Sequence, residues 1–555
     1  MKKLKKILVL ALALLMSLTL VACSSNTSDD TSDDAGDDTA TETTYKTHFT
    51  YALGDSPSYL DPAIASDSIG AYVINQTSYP LFQMSQDGVS PCAVEDYTVS
   101  EDGLTYTLTL RDNTWSDGQA VVAEDYIYGI KHALSIGSGE VTYLTWITNN
   151  LVGAAQYDGA DVDSMTELTG AVATDDKTIV FTLLQPCDYF TSLLAGGVYY
   201  AVRSDYAPSG DYTYAESADV PTNGAFKYSS IDRADRIEFA KNENFCDAEQ
   251  VTLETMTAVV MADMEAQLMA YQTGEIDYAT SVDAATVGSL YTEGKEIDMY
   301  PSVINYYIEF NTREETNTNA ALLDVNVRRA FQLAIDRQAV VDALDAGDAY
   351  YPLYGFVPTG ISSDEGDFRE VGGDLVTYDK EKAIELLAAS GYSVDNPVTI
   401  EYYYNQNTMH DTVAAVVKAQ LAEVGINLEL KTGDVRVFFA DRDDEGNYEA
   451  ARGAMSADYL DPTTYLDMAT TSYQNCASWG DATYDEMMTT AASLSGQERT
   501  DELHAAEKYL VEETAQVCPL FGYQTVCLQP VGMTGSINSP QGNSTFWFVK
   551  VPVSE

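Results

Sequence analysis

The sequence predicts an α/β protein built from more than one lobe, and three observations carry that prediction. At 555 residues the chain is longer than a single hydrophobic core supports. Hydrophobic residues make up 45% of it, with 39 Tyr, 16 Phe and 4 Trp, which supplies packed interiors and excludes wholesale disorder. Finally, short alternating apolar runs and longer amphipathic stretches follow one another without segregating, the mark of mixed α/β layers.

Four runs read as strands. Residues 105–111 alternate Tyr106, Leu108 and Leu110 with Thr, and residues 178–184 alternate in the same way before Pro186. Residues 399–404 and 426–430 complete the set. Three helices stand between or after them. Residues 379–390 place Ala383, Ile384, Leu386 and Leu387 on one face and stop at Gly391. Residues 411–424 carry Val413, Val416, Val417, Ala419 and Leu421 before Gly425, and residues 497–515 form a long amphipathic helix ahead of Pro519. No internal repeat is visible.

The N-terminus reads as an export signal. Lys2, Lys3, Lys5 and Lys6 precede an apolar run over residues 7–22, too short for a stable span. It ends in Leu20-Val21-Ala22-Cys23, which resembles a lipobox, so Cys23 is expected to be lipidated and residues 1–22 to be removed as a lipoprotein signal peptide. A plain secretory signal with an incidental Cys is the alternative. Residues 23–44 then form a lipidated acidic tether of Ser, Thr, Asp, Ala and Gly. The paired Asp29-Asp30, Asp33-Asp34 and Asp37-Asp38 are solvated and self-repelling rather than calcium ligands.

Charge excludes whole classes of partner. There are 29 Lys+Arg against 86 Asp+Glu, net −57; loss of the signal leaves 25 bases and a net −61. Such a chain repels phosphate backbones, so nucleic acid is no partner. Four His (His48, His132, His410, His504) leave little for His-based catalysis or metal binding. Six Cys follow Cys23 (Cys92, Cys187, Cys246, Cys476, Cys518, Cys527) without any CxxC spacing, and spacing alone leaves 15 full pairings open. Asp441, Asp443, Glu445 and Gly446 imitate the start of an EF-hand loop, but Arg452 stands where a bidentate Glu is needed. No nucleophile elbow, zincin or P-loop motif is present. With 86 acids, chance carboxylate pairs carry no weight as a glycosidase signal. The expectation is a non-enzyme without cofactor or metal.

A family resemblance fills the gap. Trp115-Ser116-Asp117-Gly118, then Val121, Ala123, Asp125 and Tyr126, resemble the WSDGxxVxAxDF signature of the family 5 extracellular solute-binding proteins, the oligopeptide- and dipeptide-binding lipoproteins of ABC importers. Further matches follow in family order: Leu60-Asp61-Pro62, Pro221 to Lys227, Thr273 to Asp277, Glu309-Phe310-Asn311, Asp324 to Ala330 with Ala334 to Arg337, and Ala457 to Leu466. They span nearly all of residues 45–551. Trp115, Asp117 and Gly118 are expected to form a structural turn rather than to touch ligand.

The resemblance implies a two-lobed, periplasmic-binding-protein-like fold with a hinge, mixed sheets and the ligand enclosed between the lobes. Residues 45–304 plus 517–555 would form the first lobe and residues 305–516 the second. On that division Cys476 stands alone in its lobe, so at most two disulfides are expected and Cys476 is expected free. The implied function is a monomeric receptor, lipid-anchored on the outer side of the cell membrane, that delivers peptides to the permease subunits and ATPases of an importer. A nickel chelate or a glycan is the alternative ligand on the same fold, and an enzyme or adhesin a more distant reading. By position in the motifs, Asp458 would meet the ligand's α-ammonium, with a turn or helix-cap role as the structural alternative. Arg452 would meet a ligand carboxylate, and His410, after Asn405, that of a longer ligand. Backbone of Ser66-Asp67-Ser68 and Gly453-Ala454-Met455 would pair with the peptide as flanking strands, and Tyr307 would line the same cavity. The chain departs from well-known peptide binders in having Met455 where they carry Trp, Val435 near another of their aromatics, and Ser456 where some carry a disulfide Cys.

Overall fold

Alternation along the chain is resolved into three principal sheets. A computed structural model describes residues 44–211, 213–280, 284–292, 297–313, 315–444, 446–473 and 479–553. The signal segment, Cys23, most of the acidic tether, Glu445 and Cys476 lie outside the described residues. Residues 45–555 form one compact unit.

One four-stranded sheet sets His48–Leu53 parallel to Thr255–Val260, followed by antiparallel Arg236–Lys241 and Phe226–Asp232. A second, wholly antiparallel, orders Val94–Val99, Thr105–Leu110, Thr178–Thr182 and Ala171–Asp175. The third is mixed and six-stranded: Tyr350–Pro352, Val517–Cys527, Asp298–Phe310, Ala450–Ser456, Val398–Asn405 and Ile426–Gly433. All four strands expected from alternation are present. Their apolar positions (Tyr106, Leu108, Ile179, Phe181, Ile400, Tyr402, Leu428) are buried.

Two of the three expected helices each have a side-chain cap and an apolar stripe. Asp379 caps Lys380–Ala389 through Lys382 N, and the helix buries Ala383 and Leu387, while Ile384 stays exposed at its flank. Asn407 caps Thr408–Ala422, which buries Val413, Val417 and Leu421. The long C-terminal helix starts at Gly496 and loosens into a π-helical turn over Tyr509–Glu513.

Two halves follow from the cores. The largest cluster gathers residues of the two four-stranded sheets with Trp115, Trp547 and Phe546, and includes Tyr300 and Cys527. Two others lie on opposite faces of the six-stranded sheet, one with Tyr306, Ile308, Phe331 and Val417, the other with Val303, Tyr307, Tyr465 and Leu503. Strand Val517–Cys527 contributes Cys518, Leu520 and Phe521 to the second cluster and Cys527 to the first, so it belongs to both halves.

The Trp115 signature is structural. The Trp115 indole N–H donates to Asp125 Oδ2 at 2.9 Å, and the same oxygen accepts from Val122 N at 3.0 Å, holding the start of helix Ala123–Ile136. Asp117 accepts from Arg203 at 2.8 Å. The five described cysteines after Cys23 (Cys92, Cys187, Cys246, Cys518, Cys527) are unbridged.

Glu507 holds the second half from inside. Its Oε1 accepts from Phe356 N at 2.7 Å, Val357 N at 2.8 Å and Arg369 Nη1 at 2.6 Å, with both side chains almost fully buried. Removing it strands a buried guanidinium and two amides. Glu507→Ala is therefore expected to lower stability by about 3–5 kcal/mol. Glu512→Ala, which loses only an exposed pair with Lys508, should change it by less than about 0.5 kcal/mol. Denaturant titration of the two variants against wild type checks both values.

Candidate functional site

The largest concentration of sequence-predicted residues surrounds a cavity of ≈ 430 Å³. Its walls come from both halves. Asp67 caps helix Ser68–Thr77 by accepting from Gly70 N at 2.7 Å, and the helix turns Ser68, Ala71 and Asn75, spaced three and four apart, toward the space. Ser66 lies just before it. Trp146 approaches because Gly196 has no side chain: a Cβ there would sit 2.3 Å from the indole. The six-stranded sheet contributes Ile304 and Ser456, which are cross-strand partners, followed by Ala457 and Asp458.

Asp458 is the chemical centre. It is half-buried, and burial pushes its carboxyl above the ordinary aspartate range. Tyr143, from the opposite half, donates its hydroxyl to Oδ1 at 3.1 Å and partly counteracts that shift. Among the described residues no Lys, Arg or His pairs with it. The surrounding backbone is fixed separately. Gln541 Nε2 donates to the carbonyls of Ala457 (3.1 Å) and Asp458 (2.9 Å), Asp458 N donates to Thr464 Oγ1, and Leu460 N donates to Ser192 Oγ at 2.8 Å. The arrangement presents a rigid carboxylate without a resident cation among the described residues. It caps no helix among the described residues, and the neighbouring Asp461 holds the turn by accepting from Thr463 N and from both Nη atoms of buried Arg499.

Gly453, Ala454 and Met455 occupy strand Ala450–Ser456, paired along one side with Asp298–Phe310. On the other side the parallel neighbour Val398–Asn405 pairs only at Ala450 and Ala451. Among the described residues no strand pairs with Gly453–Ser456 on that side, which leaves an edge suited to strand addition.

Arg452 and His410 lie at the far end of this strand, not in the cavity wall. Cross-strand pairing puts Arg452, Ala454 and Ser456 on the face of Ile308, Tyr306 and Ile304. Arg452 is buried, donates Nε to Asn405 Oδ1 at 2.7 Å and lies over Phe438 and Phe439. His410 is buried with Nδ1 3.2 Å from the Tyr306 hydroxyl. Burial, then the nearby Arg452 charge, lowers its pKa to about 4. It is neutral at pH 7 and offers a carboxylate a hydrogen bond rather than an ion pair.

Tyr307 departs from expectation. Its parity on strand Asp298–Phe310 is that of Val303, opposite to Ile304, so it faces the core on the other side of the sheet. The ring covers Gly453, where a Cβ would lie 2.2 Å from it, and the hydroxyl reaches Met468 Sδ at 3.5 Å. Tyr307 shapes the strand from behind and does not line the cavity. Sequence reasoning missed Tyr143, Trp146, Asn75, Ser192, Gln541 and Asn543. The Ser68, Ala71, Asn75 spacing was readable as one helix face; the others sit in no motif. Among the described residues no three His, Cys, Asp or Glu gather to hold a metal ion, and no helix is long and apolar enough to cross a membrane.

Comparison with known proteins places this geometry in context. The family model described as bacterial extracellular solute-binding proteins, family 5, middle, matches residues 88–476. The dipeptide-binding protein DppE of Bacillus subtilis is 26% identical over 98% of this chain and 98% of its own length. The periplasmic oligopeptide-binding protein OppA of Salmonella typhimurium is 27% identical over 78% of this chain and 79% of its own. The Listeria monocytogenes OppA bound to peptide covers 92% of this chain and 100% of its own with a TM-score of 0.70 at 23% identity, a likeness of fold. The two-lobed architecture is shared.

The His410 environment sets a pH dependence. Its folded-state pKa lies below the free value of about 6.5, so between that value and about 4 the unfolded chain binds a proton that the folded chain excludes. Stability therefore falls as pH drops through this window. His410→Asn should remove about 1–2 kcal/mol of the decline between roughly pH 6.5 and pH 4.5, after allowance for screening. Chemical unfolding of both proteins at the two pH values measures the difference.

Proposed function

Because the chain belongs to the family 5 bacterial extracellular solute-binding proteins, we propose that it captures oligopeptides outside the membrane by their backbone and termini and delivers them to the permease of an ABC importer. The observation that carries this reading is Asp458: a rigid, half-buried carboxylate in a cavity wall, held by a neutral hydroxyl and without a cation among the described residues. A ligand α-ammonium supplies the missing charge. The open edge at Gly453–Ser456 pairs with the ligand backbone, and the Ser66-Asp67-Ser68 segment flanks it from the other lobe. Arg452, with His410 beside it, lies six residues from Asp458, up to about 20 Å of extended chain, and receives the carboxylate of a ligand a few residues long. Gly453, Ala454 and Met455 contact ligand through main chain, which makes this part of the site tolerant of sequence.

The protein binds and releases its ligand without catalysing a reaction. It acts as a monomer, lipid-anchored through Cys23 after loss of residues 1–22, with residues 23–44 as the tether. Residues 45–304 with most of 517–555 form the first lobe and residues 305–516 the second, closing on the ligand about the strands they share.

Two experiments test this reading. Asp458→Asn should weaken a free-amine peptide by a factor of hundreds, as loss of one partner of a buried pair of about 3–5 kcal/mol implies. N-acetylation of the peptide should weaken wild-type binding comparably, and the two changes together should cost far less than their sum. Calorimetry on the four combinations reads the coupling; additive losses, or wild-type affinity for the acetylated peptide, refute the role of Asp458. For the anchor, Cys23→Ser should move the protein from the membrane to the soluble fraction on cell fractionation, and a variant that still sediments with membranes refutes lipidation at Cys23.

A further inference from the structure

The cavity beside Asp458 carries more negative charge than one ammonium requires. Among the described residues that line it, the charged side chains are Asp67 and Asp458, with no Lys, Arg or His. Asp67 commits one oxygen, Oδ1, to its helix, accepting from Gly70 N at 2.7 Å, and Oδ2 enters no ion pair among the described residues. The remaining wall mixes apolar side chains with neutral polar ones. Asn75 Nδ2 donates to Asn543 Oδ1 at 3.1 Å, Tyr200 donates its hydroxyl to Asn75 Oδ1 at 3.3 Å, and Gln83 stands alongside. A ligand carboxylate brought into this space meets two like charges and no cation. An ammonium or guanidinium meets two carboxylates and amide oxygens.

The whole molecule acts in the same direction. A net charge of −57 enriches cationic solutes near the protein and depletes anionic ones, an effect on encounter rate that salt screens. Asp67 and Asp458 line the cavity itself, where charges are screened less than on the open surface.

Resting on the peptide reading above, we propose that this receptor selects its ligands by charge at the N-terminal end. It takes peptides with Lys or Arg in the first two positions and rejects those with Asp or Glu there, with Asp67 as the specificity-determining carboxylate beside Asp458.

Calorimetry on protein freed of bound peptide, with Lys-Lys-Ala-Ala, Ala-Ala-Ala-Ala and Glu-Glu-Ala-Ala, tests it. All three peptides keep free termini, so Asp458 has its ammonium in each. Affinity should fall in that order, with a lysine-to-glutamate ratio of about thirtyfold at low ionic strength. About tenfold should survive at roughly 0.5 M salt, which removes most of the long-range field. Asp67→Asn retains a helix-capping side chain and should reduce the ratio at least about threefold. A ratio near one overturns the proposal, as does a ratio that Asp67→Asn leaves unchanged. In either case binding of Ala-Ala-Ala-Ala leaves the peptide reading standing, whereas failure of all three peptides to bind removes that reading and the charge selection with it.

Discussion

The antiparallel pair Asp298–Phe310 and Val517–Cys527 connects the two halves of the molecule, and the position of the candidate site is referred to it. Tyr300 and Cys527 at one end belong to the first core, while Tyr306, Ile308, Cys518 and Phe521 belong to the second. The ladder between them is not regular. Its register shifts at Tyr306/Tyr307, where Pro519 lies opposite Tyr307 and has no N–H to donate. Arg337, buried in the second half, donates Nε to the Pro519 carbonyl at 2.7 Å, so the shift leaves that acceptor satisfied. Strand Ala450–Ser456 takes its register from Asp298–Phe310, and its open edge and the Asp458 turn follow directly. Both ends of the proposed ligand path are therefore set by a strand that spans the two halves.

Much of the fold was legible because its signals are local. Alternation identified Thr105–Leu110 and Val398–Asn405, and helix stripes ended by Gly391 and Gly425 identified their helices to within a few residues. The motif acids were legible for a related reason: several act within one turn of their own position. Asp324 accepts from Asn326 N and Asp336 from Ala339 N, both as helix caps, and Asp461 accepts from Thr463 N. Resemblance supplied Asp458, but nothing near it in sequence supplied its surroundings. Tyr143 lies 315 residues away and Gln541 83. Tyr307 shows the opposite failure. Its neighbourhood was read correctly, but the cavity lies on the Ile304 face, and in a strand one residue of parity decides which side of the sheet a side chain occupies.

Around Asp458 the two halves meet through several separate contacts. Tyr459 stacks on Tyr189 with ring centroids 4.7 Å apart, the Arg499 guanidinium lies over the same Tyr189 ring, and Gly496 N donates to Asp188 Oδ2 at 2.9 Å. Together with the Leu460 and Gln541 contacts, these fix the backbone on both sides of the carboxylate without using the carboxylate itself. Binding energy from a ligand need not then be spent on ordering this turn.

The choice of a hydroxyl as the resident partner of Asp458 has a consequence for reversible capture. A lysine or arginine in place of Tyr143 would neutralise the carboxylate, and a ligand ammonium would have to displace it, gaining little from the exchange. A tyrosine hydroxyl satisfies one lone pair without supplying a charge, so the carboxyl pKa stays raised by burial. On the peptide reading, the ammonium relieves that penalty on entry and Tyr143 remains as a second donor. Because Tyr143 and Gln541 come from the first half and Asp458 from the second, an opening of the lobes would, on the same reading, withdraw the hydroxyl and admit water to the carboxylate. Hydration would then compete with the ammonium and weaken the ligand's hold as the lobes part.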